Sequence, residues 1–240
     1  MHKLLLSISL ICFGFIAKSQ PTERAFYGGI IYKSSGLGFA YQNKLGAGKG
    51  LGKQFDLELV TYRHPQETKT FNADINNPTP FVFGKQNKGA LLKVQYSISH
   101  KISQFSDAQR IGIDINCGAG LTFGFLKPVY INMIYPDGAG YEIIVSEKYD
   151  PEKHTDKTRI AGYSDGRIGL NEITYKTGLS ASVGIGFMWG YYTNFPKRLE
   201  AGFYSEYFNK GLPVMAFAKN KNLQNGVYIK MFLGKRVAKN

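Results

Sequence analysis

The sequence predicts an all-β chain whose strands close into an eight-stranded antiparallel transmembrane β-barrel with long extracellular loops. Three observations predict it: two long alternating runs, an N-terminal export leader, and no later segment apolar enough for a membrane helix. From Ile173 to Tyr191 every odd position is apolar or Thr, and the even positions between are mostly Gly, Ser and Thr. From Arg110 to Phe125 the odd positions run Ile111, Ile113, Ile115, Cys117, Ala119, Leu121, Phe123 and Phe125, against Arg110, Gly112, Asp114, Asn116, Gly118, Gly120, Thr122 and Gly124. A period of two is a strand with two unlike faces. Soluble strands run about five or six residues, and these are far longer. One apolar face backed by a polar, glycine-rich face suits a strand between hydrocarbon and a crowded lumen.

The leader comes first in the chain. Lys3 supplies a basic start, Leu4 to Ile16 is apolar with only small interruptions, and Ala17-Lys18-Ser19 places small residues before a cut at Gln20. That is the layout of a cleaved secretory signal. The apolar run is short of the roughly 20 residues a spanning helix needs. Residues 1–19 are therefore expected to be removed, and residues 20–240 to form a single barrel domain. Cys12 lacks the small neighbour of a lipidated cysteine. Cleavage leaves Cys117 as the one cysteine, so no internal disulfide is possible.

Composition agrees. The 240 residues include 28 Gly, 16 Tyr and 17 Phe, and mean hydropathy is mildly negative. Barrels escape hydropathy averages because alternate residues are polar. The chain carries 30 basic and 17 acidic residues, a net of +13. The basic residues are scattered, several in expected turns: Lys44, Lys49, Lys53, Lys101, Lys197, Lys235 and Arg236. Contact with anionic lipid headgroups explains them more simply than nucleic acid, which is not expected as a partner.

The strands fall at 25–33, 36–44, 53–63, 89–100, 109–127, 173–192, 197–208 and 225–236. The first is the weakest, since Gly28-Gly29-Ile30-Ile31 does not choose a face. In the second, Leu37, Phe39 and Tyr41 alternate with Gly38, Ala40 and Gln42; in the third, Phe55, Leu57 and Leu59 with Gln54, Asp56 and Glu58. In the fourth, Leu92, Val94, Tyr96 and Ile98 form the apolar face. The two long runs supply the fifth and sixth. Leu199, Ala201, Phe203 and Tyr207 mark the seventh, and Val227, Ile229, Met231 and Leu233 the eighth. An even count is what a closed bacterial barrel requires. Leu45–Gly52, Lys101–Ala108 and Thr193–Pro196 become short inner turns. The outer connections His64–Lys88, Pro128–Glu172 and Asn209–Gln224 are long, and only the Ser34-Ser35 turn is short.

Aromatic residues gather at strand ends: Trp189, Tyr191, Tyr41 and Phe55 toward the inner side, and Tyr62, Phe123, Phe125, Tyr175 and Tyr207 toward the outer side. Such rings favour membrane interfaces. In the large loop 128–172, Val129 to Tyr135 and Tyr141 to Val145 alternate around Pro136-Asp137-Gly138, which predicts a β-hairpin above the membrane. A mobile stretch from Asp150 to Gly169 is expected after it. A ten-stranded barrel that uses this hairpin is the alternative count.

An eight-stranded barrel is just wide enough for its own side chains. The inward charges are expected to be Asp56, Glu58, Asp114, Glu200 and Glu206 against Lys93, Arg110, Lys176, Arg198 and Lys230. Opposed charges can persist in a narrow lumen where unpaired ones are costly, so the interior should be plugged and salt-bridged. Carboxylates spread over separate strands and matched by bases favour structure over catalysis. Replacing Asp114 or Lys176 with Leu should mainly change barrel stability.

No catalytic, metal or cofactor motif emerges. Gly46-Ala47-Gly48-Lys49-Gly50-Leu51-Gly52-Lys53 lacks the glycine spacing of a phosphate loop, and Gln54 stands where Ser or Thr would meet magnesium. His64, His100 and His154 have no zinc-ligand spacing. Asp150, Glu152 and Asp156 read as solvated charges rather than a calcium loop.

Leader, alternating strands, short inner turns and long outer loops resemble the small outer-membrane β-barrel proteins of Gram-negative bacteria. The resemblance is architectural and covers nearly all of the mature chain. Phe83-Gly84-Lys85-Gln86-Asn87 and Gly124-Phe125-Leu126-Lys127-Pro128 look like loop-base features of such a barrel group. The last strand departs from the commonest pattern, because Lys235–Asn240 follow it where an aromatic terminus is usual. The resemblance implies a non-enzymatic barrel in the outer membrane. It would touch outer-membrane lipids and lipopolysaccharide, and its loops would meet a surface or envelope protein or polysaccharide. Two alternatives remain open. A lipid-modifying barrel enzyme would need His64 with Ser34 or Ser35 at the outer rim. A secreted soluble barrel for an apolar ligand would need the odd faces inside.

Overall fold

The computed structural model describes residues 24–45, 51–73, 75, 79–103, 111–137, 141–190 and 195–237, with residue 236 given by its backbone alone. The expected leader 1–19 lies outside the described residues, as do the glycine-rich segment 46–50, Arg110 and Tyr191. In chain order the strands are β1 (Arg24–Lys33), β2 (Gly36–Leu45), β3 (Leu51–Tyr62), β4 (Lys69–Thr70), β5 (Phe81–Val82), β6 (Asn87–Ser103) and β7 (Gly112–Pro128). They continue with β8 (Tyr130–Asp137), β9 (Tyr141–Lys148), β10 (Ile160–Tyr163), β11 (Thr174–Trp189), β12 (Lys197–Phe208) and β13 (Leu223–Val237).

Eight of these close into one barrel in the order β1-β13-β12-β11-β7-β6-β3-β2, every neighbour antiparallel. The expected eight strands are the eight found. The ten-strand alternative fails because β8 and β9 belong to a separate three-stranded sheet, order β10-β8-β9.

Closure also settles the undecided first strand. Ile31 pairs directly with Lys230 of β13, and Ile30 with Met231. Directly opposed residues of an antiparallel pair share a face, so Ile31 follows Lys230 inward and Ile30 follows Met231 outward. Ala25, Tyr27 and Ile31 then pack inside with Tyr204, Tyr228 and Phe232. Tyr27 meets Phe232 edge-on, with ring centroids 6.2 Å apart. The interior is therefore part aromatic as well as ionic.

β6 and β7 are 17 residues long each, more than the roughly 9–11 a tilted strand needs to cross hydrocarbon. Their ends carry the loops. β8 and β9 form the expected hairpin, paired from Tyr130↔Lys148 to Asp137↔Tyr141. The stretch expected to be mobile is ordered instead. A 3-10 turn at Lys157–Arg159 leads into β10, which adds to β8, and Ile160 is fully buried with Phe81, Val129, Ile131 and Met133. Asn72 of the β3–β6 connection donates its side-chain amide to the carbonyl of Thr158. Alternation alone could not reveal these contacts, because β10 is only four residues long.

The loop-base expectation has a concrete counterpart. Gly84 takes φ 81°, open to glycine at little cost, and its carbonyl accepts from the Ala216 amide at 2.8 Å. The Gln86 and Asn87 amides donate to the Val214 carbonyl, and the Val129 amide donates to the Gln86 carbonyl. One short segment thus ties three loops together. Leu212, Val214 and Met215 pack on Tyr62, Leu91, Leu126 and Phe208 at the strand ends.

Candidate functional site

The exterior of the barrel is apolar where a soluble protein would be polar. Leu179 is 60 % exposed, Val183 47 % and Ile115 39 %, while Asp114 is 2 % exposed on the opposite face. Phe203, Val227, Ile229, Met231 and Leu233 extend the band. Closure gives each barrel strand a paired neighbour on both sides, the condition for crossing hydrocarbon. The architecture is that of the small outer-membrane β-barrels. The soluble alternative required these residues inside, and they point out. Cys117 also lies on the outer surface. Tyr41, Phe55, Trp189, Tyr175 and Tyr207 are exposed at the strand ends as expected. Tyr62 is not: its even position turns it inward, 7 % exposed, beneath the loops.

Inside, one ladder of ion pairs crosses the lumen. Lys44 reaches Asp114 at 2.6 Å, and Asp114 receives Arg198 through both terminal nitrogens at 2.7 Å. Arg198 also holds Glu200 at 2.9 Å, and Glu200 meets Lys230 at 3.1 Å. Lys230 continues to Glu58 at 3.0 Å, which gathers Lys93 at 2.7 Å and Lys33 at 3.2 Å. Lys33 ends the ladder on Glu206 at 2.7 Å. Asp56 is held by neutral donors, Gln42 at 2.9 Å, Gln54 at 3.0 Å and Ser97 at 2.5 Å.

All five expected carboxylates are inside, and so are Lys93, Arg198 and Lys230. Two corrections concern the cations. Lys176 is half-buried, and no carboxylate pairs with it among the described residues. Lys44, expected in a turn beside lipid headgroups, is buried in the ladder, and Lys33 joins it. Lys44 sits at an even position of β2 in step with Gln42 and Ala40, so the alternation held its signal. Lys33 depended on the face of β1. Glycines make room for the large groups: a Cβ at Gly186 would lie 2.2 Å from Arg198 Nη2 and one at Gly184 2.3 Å from the Tyr228 hydroxyl.

At the loop-bearing rim, Ser34, Ser35 and His64 line one cleft of about 600 Å³. They share it without joining. His64 Nδ1 accepts from the Gln66 amide at 3.2 Å. The Tyr204 hydroxyl donates to Ser35 Oγ at 2.9 Å and lies 3.2 Å from Ser34 Oγ. No hydrogen bond links the histidine to either serine, so the geometry forms no nucleophile–base pair.

Above the rim, Glu172 ties the hairpin down. It accepts from Lys148 at 2.6 Å and from the Tyr130 hydroxyl. The Lys148 hydrogen bond, with that of Tyr130, holds its carboxyl below the usual carboxylate range. Burial pushes the Tyr163 phenol up to about 12, and its oxygen accepts the Val82 amide at 2.9 Å.

No family model matches the chain, and no curated protein matches it. Among solved structures it is similar to Ail, the attachment invasion locus protein of Yersinia pestis, solved in complex with the heparin analogue sucrose octasulfate. The identity is 10 %, the match covers 91 % of this chain and 100 % of that one, and the TM-score is 0.42. It is also similar to Neisserial surface protein A, at 11 % identity over 93 % of this chain and 100 % of that one, with a TM-score of 0.40. The barrel topology rests on the strand pairing of the chain itself.

Proposed function

We propose that the protein is a non-enzymatic integral outer-membrane barrel with a lumen closed by its own side chains. Its loop-bearing end faces outward and makes the contacts with envelope or surface partners, while the wall touches outer-membrane lipid and lipopolysaccharide. The observation that carries this reading is the ion ladder from Lys44 to Glu206. Its carboxylates and cations spend their charge on one another, and Arg198, Lys33, Lys44, Lys93 and Lys230 are among the largest fully buried side chains. A chain of paired, desolvated charges resists opening, since separating one pair leaves two buried ions uncompensated.

Outer-membrane fractionation with a heat-modifiable gel shift tests the body of this reading, and recovery in the soluble fraction defeats it. Planar bilayer recording tests the lumen. The folded protein is expected to add no steady conductance, and a stable open level would overturn the closed interior.

A further inference from the structure

We infer that the rim cleft binds an anionic saccharide, a sugar bearing phosphate or sulfate. This deepens the proposal above and rests on the loop-bearing end facing outward. The cleft lies between the Ser34-Ser35 turn, the start of the β3–β4 loop and the end of the β12–β13 loop. Its volume of about 600 Å³ falls within the roughly 300–1,000 Å³ of small-molecule sites.

The charge in it is one-sided. Arg63, Lys219 and Lys221 line it, all exposed, and no Asp or Glu does. Among the described residues no carboxylate pairs with any of the three. The acidic groups near them in the chain are already occupied: Glu67 by Lys85 at 2.5 Å and Glu206 by Lys33 at 2.7 Å. In the lumen the buried cations Lys33, Lys44, Lys93, Arg198 and Lys230 all meet carboxylates; at this rim three cations gather unmatched. Arg in particular presents a planar fork suited to phosphate or sulfate oxygens.

Two further features favour a sugar over a bare anion. Gln224 lines the cleft, and its buried Oε1 accepts no hydrogen bond. A buried acceptor without a donor is costly. Phosphate or sulfate oxygens bring no donor, whereas a saccharide hydroxyl does. The same cleft is lined by the hydroxyl trio of Ser34, Ser35 and buried Tyr204, whose oxygens can both give and accept. Cations, an orphan acceptor and amphoteric hydroxyls in one concavity match an anionic sugar group by group.

The chemistry has two sources, the phosphorylated core sugars of lipopolysaccharide and sulfated glycans outside the cell, so the test carries both. The full chain is folded in detergent micelles and titrated calorimetrically with deacylated lipopolysaccharide oligosaccharide, a sulfated oligosaccharide, a neutral dextran oligosaccharide and an acidic peptide. At least one anionic saccharide should bind and dextran should not; the tighter of the two identifies the source. The double variant R63Q/K221Q should lose about tenfold or more in affinity. The variant K53Q/K197Q removes the same charge far from the cleft and should bind as the wild type does. Gln224→Leu leaves the charge unchanged and should weaken the saccharide several-fold. Equal loss in both double variants, an unaltered Gln224→Leu, or equal binding of the acidic peptide would overturn the assignment. Each variant is checked for the heat-modifiable gel shift. A folded barrel that binds neither anionic saccharide refutes the cleft alone, whereas a chain recovered as a soluble protein refutes the outer-membrane reading beneath it.

Discussion

Arg198 grips Asp114 across a strand that contributes no side chain between them. β12 and β7 both pair with β11, and Gly186 of β11 lies opposite Asp114 on one side and Glu200 on the other. Over that bare backbone the guanidinium reaches both carboxylate oxygens at 2.7 Å. The bond exists because position 186 has no Cβ: one placed there would stand 2.2 Å from Arg198 Nη2 and 2.5 Å from Asp114 Oδ1.

Gly186→Val should therefore break the grip without altering a charge. Parting a buried ion pair costs about 3–5 kcal/mol, and the temperature of the heat-modifiable gel shift should fall clearly. An unmoved transition would mean the pair contributes nothing.

Asp114→Leu and Lys176→Leu should differ sharply. Removing Asp114 strands Lys44 in the lumen and leaves Arg198 with Glu200 alone, a loss of about 3–5 kcal/mol. Lys176 is half-buried without a carboxylate partner among the described residues, so its replacement should stay within roughly 1 kcal/mol. Urea denaturation of the two variants in micelles separates them, and equal midpoints would contradict the ladder.

A spectroscopic probe reports the wall. In a Cys117→Ala background, a nitroxide on Leu179→Cys should read as hydrocarbon in reconstituted vesicles and be quenched by oxygen rather than by water-soluble relaxants. A label that responds to the aqueous agent would reverse the assignment of the two faces.

The hairpin anchor should respond to acid. The Glu172 carboxyl is held below its ordinary value of 4.5, first by its hydrogen bond from Lys148 and then by that from Tyr130. A depressed carboxyl adds stability that is present above its unfolded pKa and is lost as pH falls through the folded one. Protection factors for amide exchange in β8 and β9, which divide out the intrinsic pH dependence of exchange, should hence be unchanged between pH 7 and 5 and fall only below about 4. Glu172→Gln should remove that acid-dependent step, and the step is small because the pair is exposed to solvent.

Much of this was legible because a period of two couples each residue to a side. Leu179, Val183 and Ile115 had to share one face, and Asp114, Glu200 and Glu58 the other, once strands were assumed. The same rule places Lys44 inside, although its nearness to a turn suggested lipid. It also turns Tyr62 away from the aromatic band. The β8–β9 hairpin was visible from alternation around Pro136-Asp137.

Lys33 and Ile31 were beyond that reach. Gly28-Gly29-Ile30-Ile31 carries no facial bias, so only pairing with β2 and with the distant β13 decided which side of β1 faces the lumen. The order of residues 150–169 likewise came from Ile160 meeting Phe81, and the rim cleft from Arg63 and Lys221 lining one concavity, arrangements of segments far apart in sequence. Local alternation is a property of neighbouring residues and needs no partner to be read. Faces without alternation, loop docking and clefts are set by which distant segments meet, and that is decided only when the barrel closes.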